Sequence, residues 1–183
     1  LDFEAARKAH IHFPISILKK AAYYLHATAK TKAPFKIALI NLVHAPGLDA
    51  AEEGLIKGLS TRGLIEGTDF VIKKYNAQGD VSIVGQQIDT ALAKEPDLVL
   101  TLTTPVLLNA AKKITNTPVV FTVASKPSDL GFKRDEFPTN FSGVYEDLSA
   151  APLVDMIQEH MPGIKQIGTL YDPSQPNAVL AAR

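Results

Sequence analysis

The sequence predicts an α/β fold in which helices cover both faces of a parallel sheet. Apolar strands that lead through a short loop into an amphipathic helix recur three times before residue 125. The first of these strands, within FKIALINLV, is nearly continuous in apolar residues, as expected for a strand that is buried on both faces. Proline and glycine stand in the connecting loops. Because the carboxyl ends of parallel strands meet at one sheet edge, this pattern predicts a ligand-binding crevice there.

The strands and helices follow one another in a regular order. The predicted strands are Lys36–Val43, Asp69–Tyr75, Leu98–Leu102, Val119–Val123 and Phe141–Tyr145. The predicted helices are Leu48–Arg62, with Gly63 ending it, Val81–Lys94, and a third that Thr103 or Thr104 caps and that ends near Thr115. After a crossing strand the βα pattern starts again, with a helix from Leu148 to His160, a strand Gln166–Leu170 and the beginning of another helix. We therefore expect a second lobe to begin here.

Composition and motifs exclude several classes of function. Among the 183 residues, 19 basic side chains balance 19 acidic ones, so there is no basic stripe of the kind that nucleic-acid binding needs. No apolar run approaches the ~18–20 residues of a membrane span, so we expect no membrane insertion. The absence of cysteine excludes disulfides and thiolate nucleophiles. The chain has no GxGxxG, P-loop or GxSxG motif, so neither an enzyme nor a bound cofactor is predicted.

Polar residues follow the predicted strands at several points. Thr103-Thr104-Pro105 places hydroxyls at a helix start, which suits a carboxylate or another anion but equally suits an ordinary helix cap. The stretch Tyr171–Asn177, YDPSQPN, has the same design after a second-lobe strand. His44 lies in the loop after strand one and either lines a site or is simply exposed. Ser125-Lys126 closes strand four, and Lys126 is either a ligand contact or a solvated loop charge.

Six ordered motifs then carry a resemblance to a known family. The motifs are HAPGLDAAEEGLIKGL, YNAQGD, a strand ending in TTP, TPVVFTVAS, NFSGVYED and IGTLYDPSQPN. Over about residues 35–177 they resemble the ABC-transporter substrate-binding proteins of the aromatic-amino-acid (tryptophan/tyrosine) type. The resemblance implies a periplasmic-binding-protein-like fold with flavodoxin-like strand order 2-1-3-4-5. It also implies two lobes that close on a small amino-acid-like ligand, an ABC permease as partner and an extracytoplasmic location.

Topology and resemblance together give a set of candidate ligand contacts: His44, Pro46, Gly47, Thr103, Thr104, Pro105, Ser125, Lys126, Tyr145, Glu146, Tyr171, Ser174 and Asn177. Two positions depart from the family pattern. Lys126 stands where members often have aspartate, and either Glu146 or Asp147 fills the acidic position of the crossing, with colinear alignment favouring Glu146. Lys126 therefore leaves room for a more anionic ligand.

The resemblance also divides the chain. Residues 1–25 resemble the tail of the same family, which implies a tandem arrangement; an unrelated helical extension is the alternative. We expect residues 1–34 to be this segment and a linker, 35–145 to be lobe one, and 146–183 to be the truncated start of lobe two. Since the chain starts at Leu1, any signal peptide would lie outside it.

Two other functions fit the same fold. A ligand-sensing module of a signalling protein is the main alternative to a transport component, and a downstream membrane span with a kinase or cyclase would favour it. A flavodoxin-like enzyme is the other, but the sequence offers no paired base and nucleophile for it.

Overall fold

The computed structural model describes residues 33–133, 136–146 and 150–182. The predicted N-terminal segment therefore lies, except for its last two residues, outside the described part of the chain. The division into a leading segment, lobe one and a second lobe stays a prediction.

A five-stranded parallel sheet forms the centre of the molecule. Its strands are β1 (Phe35–Asn41), β2 (Phe70–Asn76), β3 (Leu98–Leu102), β4 (Val119–Ser125) and β5 (Phe141–Glu146). They are ordered β2-β1-β3-β4-β5, and every neighbouring pair is parallel. The predicted fold class and strand order are confirmed.

The helices are α1 (Pro46–Ser60), α2 (Val84–Leu92), α3 (Thr104–Lys113), α4 (Ala151–His160) and α5 (Pro176–Ala181). Proline occupies one of the first two positions of α1, α3, α4 and α5, where its missing N–H leaves no helical hydrogen bond unmade. A 3₁₀ turn, Val81–Ile83, precedes α2, because the Asp80 carboxylate accepts from the backbone N–H of Ser82 and fixes that turn.

Each face of the sheet has its own apolar core. On one face, Ile37, Leu39 and Leu100 pack with α1. On the other, Ile40 and Val99 pack with α2 and α3. Strand residues alternate between the two cores because successive side chains of a strand point to opposite faces. The three-layer architecture follows directly from this alternation.

β4 and β5 pack closely against each other. A bulge lies between Phe121 and Ala124, and Gly143 passes so close to Phe121 that an added Cβ would overlap its carbonyl oxygen and meet its Cγ at 2.5 Å. Glycine at position 143 is therefore required by packing.

The ring of Phe137 packs edge-on against three other phenylalanines, with centroid distances of 5.3 to 5.9 Å.

One element prediction is wrong. Residues 164–170, where a strand Gln166–Leu170 was expected, form an exposed stretch without strand pairing. Ile167 and Leu170 are exposed in this stretch. An apolar strand needs a neighbour to satisfy its backbone N–H and C=O groups, and none of the described strands lies beside this stretch.

Candidate functional site

The carboxyl edge of the sheet gathers the loops that the sequence singled out. β1, β3 and β4 are adjacent and parallel, so the segments after Asn41, Leu102 and Ser125 all leave the sheet at the same edge. The turn after β2 joins them, because the backbone N–H of Gly79 donates to the carbonyl of Leu42 at 2.8 Å. This edge is the candidate site.

Thr103 occupies the transition from β3 to α3 with an unusual backbone. Its φ of 79° and ψ of 151° lie in a region that is normally restricted to glycine and costs about 1–3 kcal/mol. Its N–H donates to the carbonyl of Thr122 at 3.3 Å, and its carbonyl accepts from Leu107 at 3.0 Å, so both neighbouring elements hold it. Its Oγ1 is buried and has no hydrogen-bond partner among the described residues. A buried hydroxyl without a partner is uncommon in folded proteins and needs an explanation.

Thr104 has a different role. It is 2% exposed, and its Oγ1 accepts from the backbone N–H of Ser125 at 2.9 Å and lies 3.2 Å from the Ser125 Oγ. These bonds join the first turn of α3 to the end of β4. The expectation that one of the two threonines caps α3 through its side chain is wrong: Thr103 stands at the N-cap position but makes no capping bond. The Thr104 hydroxyl is already bonded to Ser125.

A residue that the sequence reasoning missed lies at the end of β1. Asn41 is 1% exposed, and its Oδ1 accepts from the backbone N–H of Leu42 at 2.8 Å. Its Nδ2 has no partner in the described part of the chain. Burying an unpaired amide donor is costly, so such a group calls for a ligand or a water as partner. Its signal in the sequence was an asparagine at the last position of an apolar strand.

The loop after β1 is held by His44 and Asp49. The imidazole Nδ1 of His44 lies 3.1 Å from Asp49 Oδ1, in the first turn of α1. Pro46 and Gly47 are the first two residues of that helix. This pairing makes His44 an element of the loop's own structure, and its contact with a ligand stays a prediction.

The ends of β4 and β5 bring Lys126 and Tyr145 together. The Lys126 Nζ lies 5.8 Å from the centroid of the Tyr145 ring, within the range of a cation–π contact. Tyr145 is 47% exposed, and Glu146 beside it is exposed as well. In strand register, Glu146 lies opposite Ser125. These residues lie together at the carboxyl ends of β4 and β5, and their contact with a ligand stays a prediction.

The turn before α5 is built around Asp172. Its carboxylate accepts from the backbone N–H and the hydroxyl of Ser174 and from the Gln175 side chain, at 2.7 to 3.2 Å. These hydrogen bonds hold the pKa of Asp172 below its usual value. Asn177, in the first turn of α5, has a buried Oδ1 without a partner among the described residues, whereas Tyr171 is half exposed. Helix α5 contacts α3, whose first residues follow Thr103.

Two kinds of feature are absent from residues 33–133, 136–146 and 150–182. They contain no cluster of three or more histidine, aspartate or glutamate side chains that could hold a metal ion. Within the same ranges no helix is both long and apolar enough to cross a membrane.

Comparisons with known proteins agree with this architecture. The family model of the ABC transporter substrate binding protein matches residues 36–183. A curated tyrosine-binding protein of Clostridioides difficile is 28% identical over 150 residues, which cover 81% of this chain and 44% of the relative.

Two solved structures each superpose with a TM-score of 0.74 at 28% identity. One is a conserved domain protein from Vibrio cholerae, with 80% of this chain and 50% of that one covered. The other is an ABC domain from Streptococcus pneumonia in complex with L-Trp, with 82% and 51% covered. The chain thus spans about half the length of the relatives that it matches.

Proposed function

Because this chain belongs to the ABC transporter substrate binding protein family, we propose that it is part of the solute-binding component of an ABC uptake transporter. In this role it binds a small amino-acid-like ligand in a cleft between two lobes and delivers it to a permease. Such a component works outside the cytoplasmic membrane. Related proteins named for tyrosine binding or solved with L-Trp support an amino-acid-like ligand.

The observation that carries the proposal is the unpartnered hydroxyl of Thr103. It is buried at the carboxyl edge of a central strand, where open parallel sheets bind their ligands. The strained backbone that holds it is typical of positions that are fixed for function. The free N–H groups of a helix start also favour an anion, so a ligand carboxylate at Thr103 would receive donors from side chain and backbone together.

The second half of the cleft is proposed to come from the turn before α5. The buried Asn177 Oδ1 is an acceptor without a partner in the described structure, and α5 lies against α3. A ligand that bridges Thr103 and Asn177 would satisfy a donor on one lobe and an acceptor on the other. The remainder of lobe two would cover the ligand and exclude water, as in hinge closure around small ligands.

Calorimetric titration of the full-length protein with an amino-acid panel tests this function. The 183 residues contain no tryptophan, so the emission of added L-Trp gives a second readout that these residues do not obscure. We expect binding by the full-length protein and binding weaker by several kcal/mol for residues 1–183 alone, since half of the partners and most of the desolvation are lost. Equal affinities would contradict the two-lobe cleft.

Thr103→Ala is the finer test. It should weaken binding by about 1–2 kcal/mol if the hydroxyl contacts the ligand. Thr90→Ala is the matched control, because Thr90 is exposed on α2 and its hydroxyl donates only to the Gln86 carbonyl at 2.8 Å. Equal affinities of the two variants would remove Thr103 from the site.

A further inference from the structure

We propose that Asn41 is a specificity-determining residue of the binding site, and that its side-chain amide donates a hydrogen bond to the α-carboxylate of the ligand. This inference rests on the proposed function, because it assigns one end of the amino-acid-like ligand to a residue of that same site. Asn41 is the last residue of β1, at the carboxyl edge of the sheet, and it is 1% exposed.

The free end of the Asn41 side chain is a hydrogen-bond donor. Its Oδ1 accepts from the backbone N–H of Leu42 at 2.8 Å. A backbone N–H can only donate, so this bond fixes the oxygen on one side of the amide and the nitrogen on the other. The Nδ2 has no partner in the described part of the chain. The group that awaits a partner therefore requires an acceptor.

Strand register places this donor near the Thr103 hydroxyl. β1 and β3 pair with Ile40 opposite Thr101, so Asn41 is level with Leu102 and Thr103 follows directly. Adjacent strands lie about 4.8 Å apart and successive Cα atoms about 3.8 Å apart, which puts the Cα atoms of Asn41 and Thr103 about 6 Å from each other. A carboxylate that accepts one hydrogen bond on each oxygen can join donor atoms up to about 8 Å apart.

Two buried donors favour a carboxylate over an amide. The Asn41 Nδ2 and the Thr103 Oγ1 are both shielded from solvent and without a partner among the described residues. A carboxylate offers each of them an anionic oxygen, and the low local dielectric strengthens such hydrogen bonds. An α-carboxamide offers one oxygen, and its NH₂ group would face the second donor and leave it unsatisfied, which is costly in a buried site.

The chain that leaves Asn41 becomes exposed within three residues. His44 is exposed, as are Pro46 and Gly47 at the start of α1. A ligand that reaches the amide from this side displaces a surface loop and leaves the apolar core intact.

Two ligand pairs that differ only at the carboxyl group test the inference on the full-length protein. They are L-Trp with L-tryptophanamide and L-Tyr with L-tyrosinamide. We expect each free acid to bind at least about tenfold more tightly than its amide, because the amide leaves one buried donor without an acceptor. Titration calorimetry measures the acids, and competition against the bound acid measures the amides.

Asn41→Asp should reduce this preference for the acid at least about tenfold, because it replaces the two N–H donors by a carboxylate that repels the ligand's own and accepts from an amide. Asn140→Asp is the matched control. The Asn140 Nδ2 donates to the Thr117 carbonyl at 2.8 Å and to the Ile114 carbonyl at 3.3 Å, just before the amino end of β5. The control variant adds the same charge and loses hydrogen bonds of the fold at the opposite edge, so its ratio of acid to amide affinity should not change.

Asn41→Ser covers the case in which a buried aspartate prevents folding. It adds no charge, and its hydroxyl is too short to replace the Nδ2 donor. We expect it to lower the ratio of acid to amide affinity at least about threefold, whereas a role in stability alone would weaken both ligands equally.

The outcomes separate the two proposals. If the unmodified protein binds the amides as tightly as the acids, or if the substitutions at Asn41 leave the ratio as Asn140→Asp does, the assignment of the carboxylate to Asn41 is wrong while the solute-binding function stands. If neither L-Trp nor L-Tyr binds, this inference is refuted as stated. If no member of the amino-acid panel binds, the proposed function fails as well.

Discussion

Removing the Thr104 hydroxyl should destabilise the chain by about 2 kcal/mol. Thr104→Val keeps the branched shape but deletes the oxygen that accepts from the Ser125 N–H at 2.9 Å and lies 3.2 Å from its hydroxyl. The Ser125 hydroxyl can turn to another partner, whereas its backbone N–H stays buried and unsatisfied, which costs about 1–3 kcal/mol. For a chain of this size, 2 kcal/mol corresponds to a fall in Tm of about 4–8 °C.

Urea unfolding followed by far-UV circular dichroism measures this change. Thr90→Val is the control, since it deletes a hydroxyl of the same residue type at an exposed helical position and should change stability by less than about 0.5 kcal/mol. Ser125→Ala removes only the hydroxyl contact and should cost about 0.5–1.5 kcal/mol. If Thr104→Val is as stable as Thr90→Val, the hydrogen bond between α3 and β4 does not contribute as the structure implies.

Three further predictions test the packing and one ion pair. Gly143→Ala should destabilise the fold by at least about 1–3 kcal/mol, because the added Cβ would overlap Phe121 on the neighbouring strand. Gly54→Ala, in open space on α1, should stabilise the fold by about 0.5–1 kcal/mol. Urea midpoints that move in the same direction for both variants would contradict this prediction. Phe137→Ala should cost about 3 kcal/mol in thermal unfolding because it removes three ring contacts, and a loss below 1 kcal/mol would count against the aromatic cluster. The hydrogen bond to Glu52 raises the pKa of Lys74. This pair therefore stabilises the fold below about pH 10.4, and the stabilisation is lost as pH rises through the raised pKa of Lys74. Lys74→Met should lower the free energy of unfolding by about 0.2–1 kcal/mol at pH 8, and a difference from the unmodified protein that persists at about pH 12 would refute the assignment.

The sheet could be predicted because its signal is local in the chain. Runs such as FKIALIN are apolar over a strand's length, and glycine and proline mark their ends, so β1 to β5 were located to within two residues. The order of the strands followed from the family resemblance, which the family match and the topology bear out. The start of α1 was placed two residues late, since proline tolerates the first turn of a helix and gives no sharp boundary.

The sequence predicted where the candidate site lies in the fold, but not which of its polar groups lack a hydrogen-bond partner. Sequence reasoning located the edge where the loops after β1, β3 and β4 gather, because parallel strands must end together. It did not distinguish Thr103 from its neighbour: both are threonines at a helix start, and only the fold buries one hydroxyl against Ser125 and leaves the other without a partner. Asn41 was missed for the same reason, since the burial of its amide depends on neighbouring strands.

The sequence by itself determined the α/β class, the approximate positions of β1 to β5 and the absence of common catalytic motifs, because these depend on residues near one another in the chain. Tertiary structure alone decided which polar groups of the described residues are paired and which have no hydrogen-bond partner. It placed Lys126 over Tyr145, 19 positions away. Residues 166–170 form no strand, since none of the described strands lies beside them. Hydrogen bonds and charge contacts join residues distant in sequence, and local pattern carries no information about their distances.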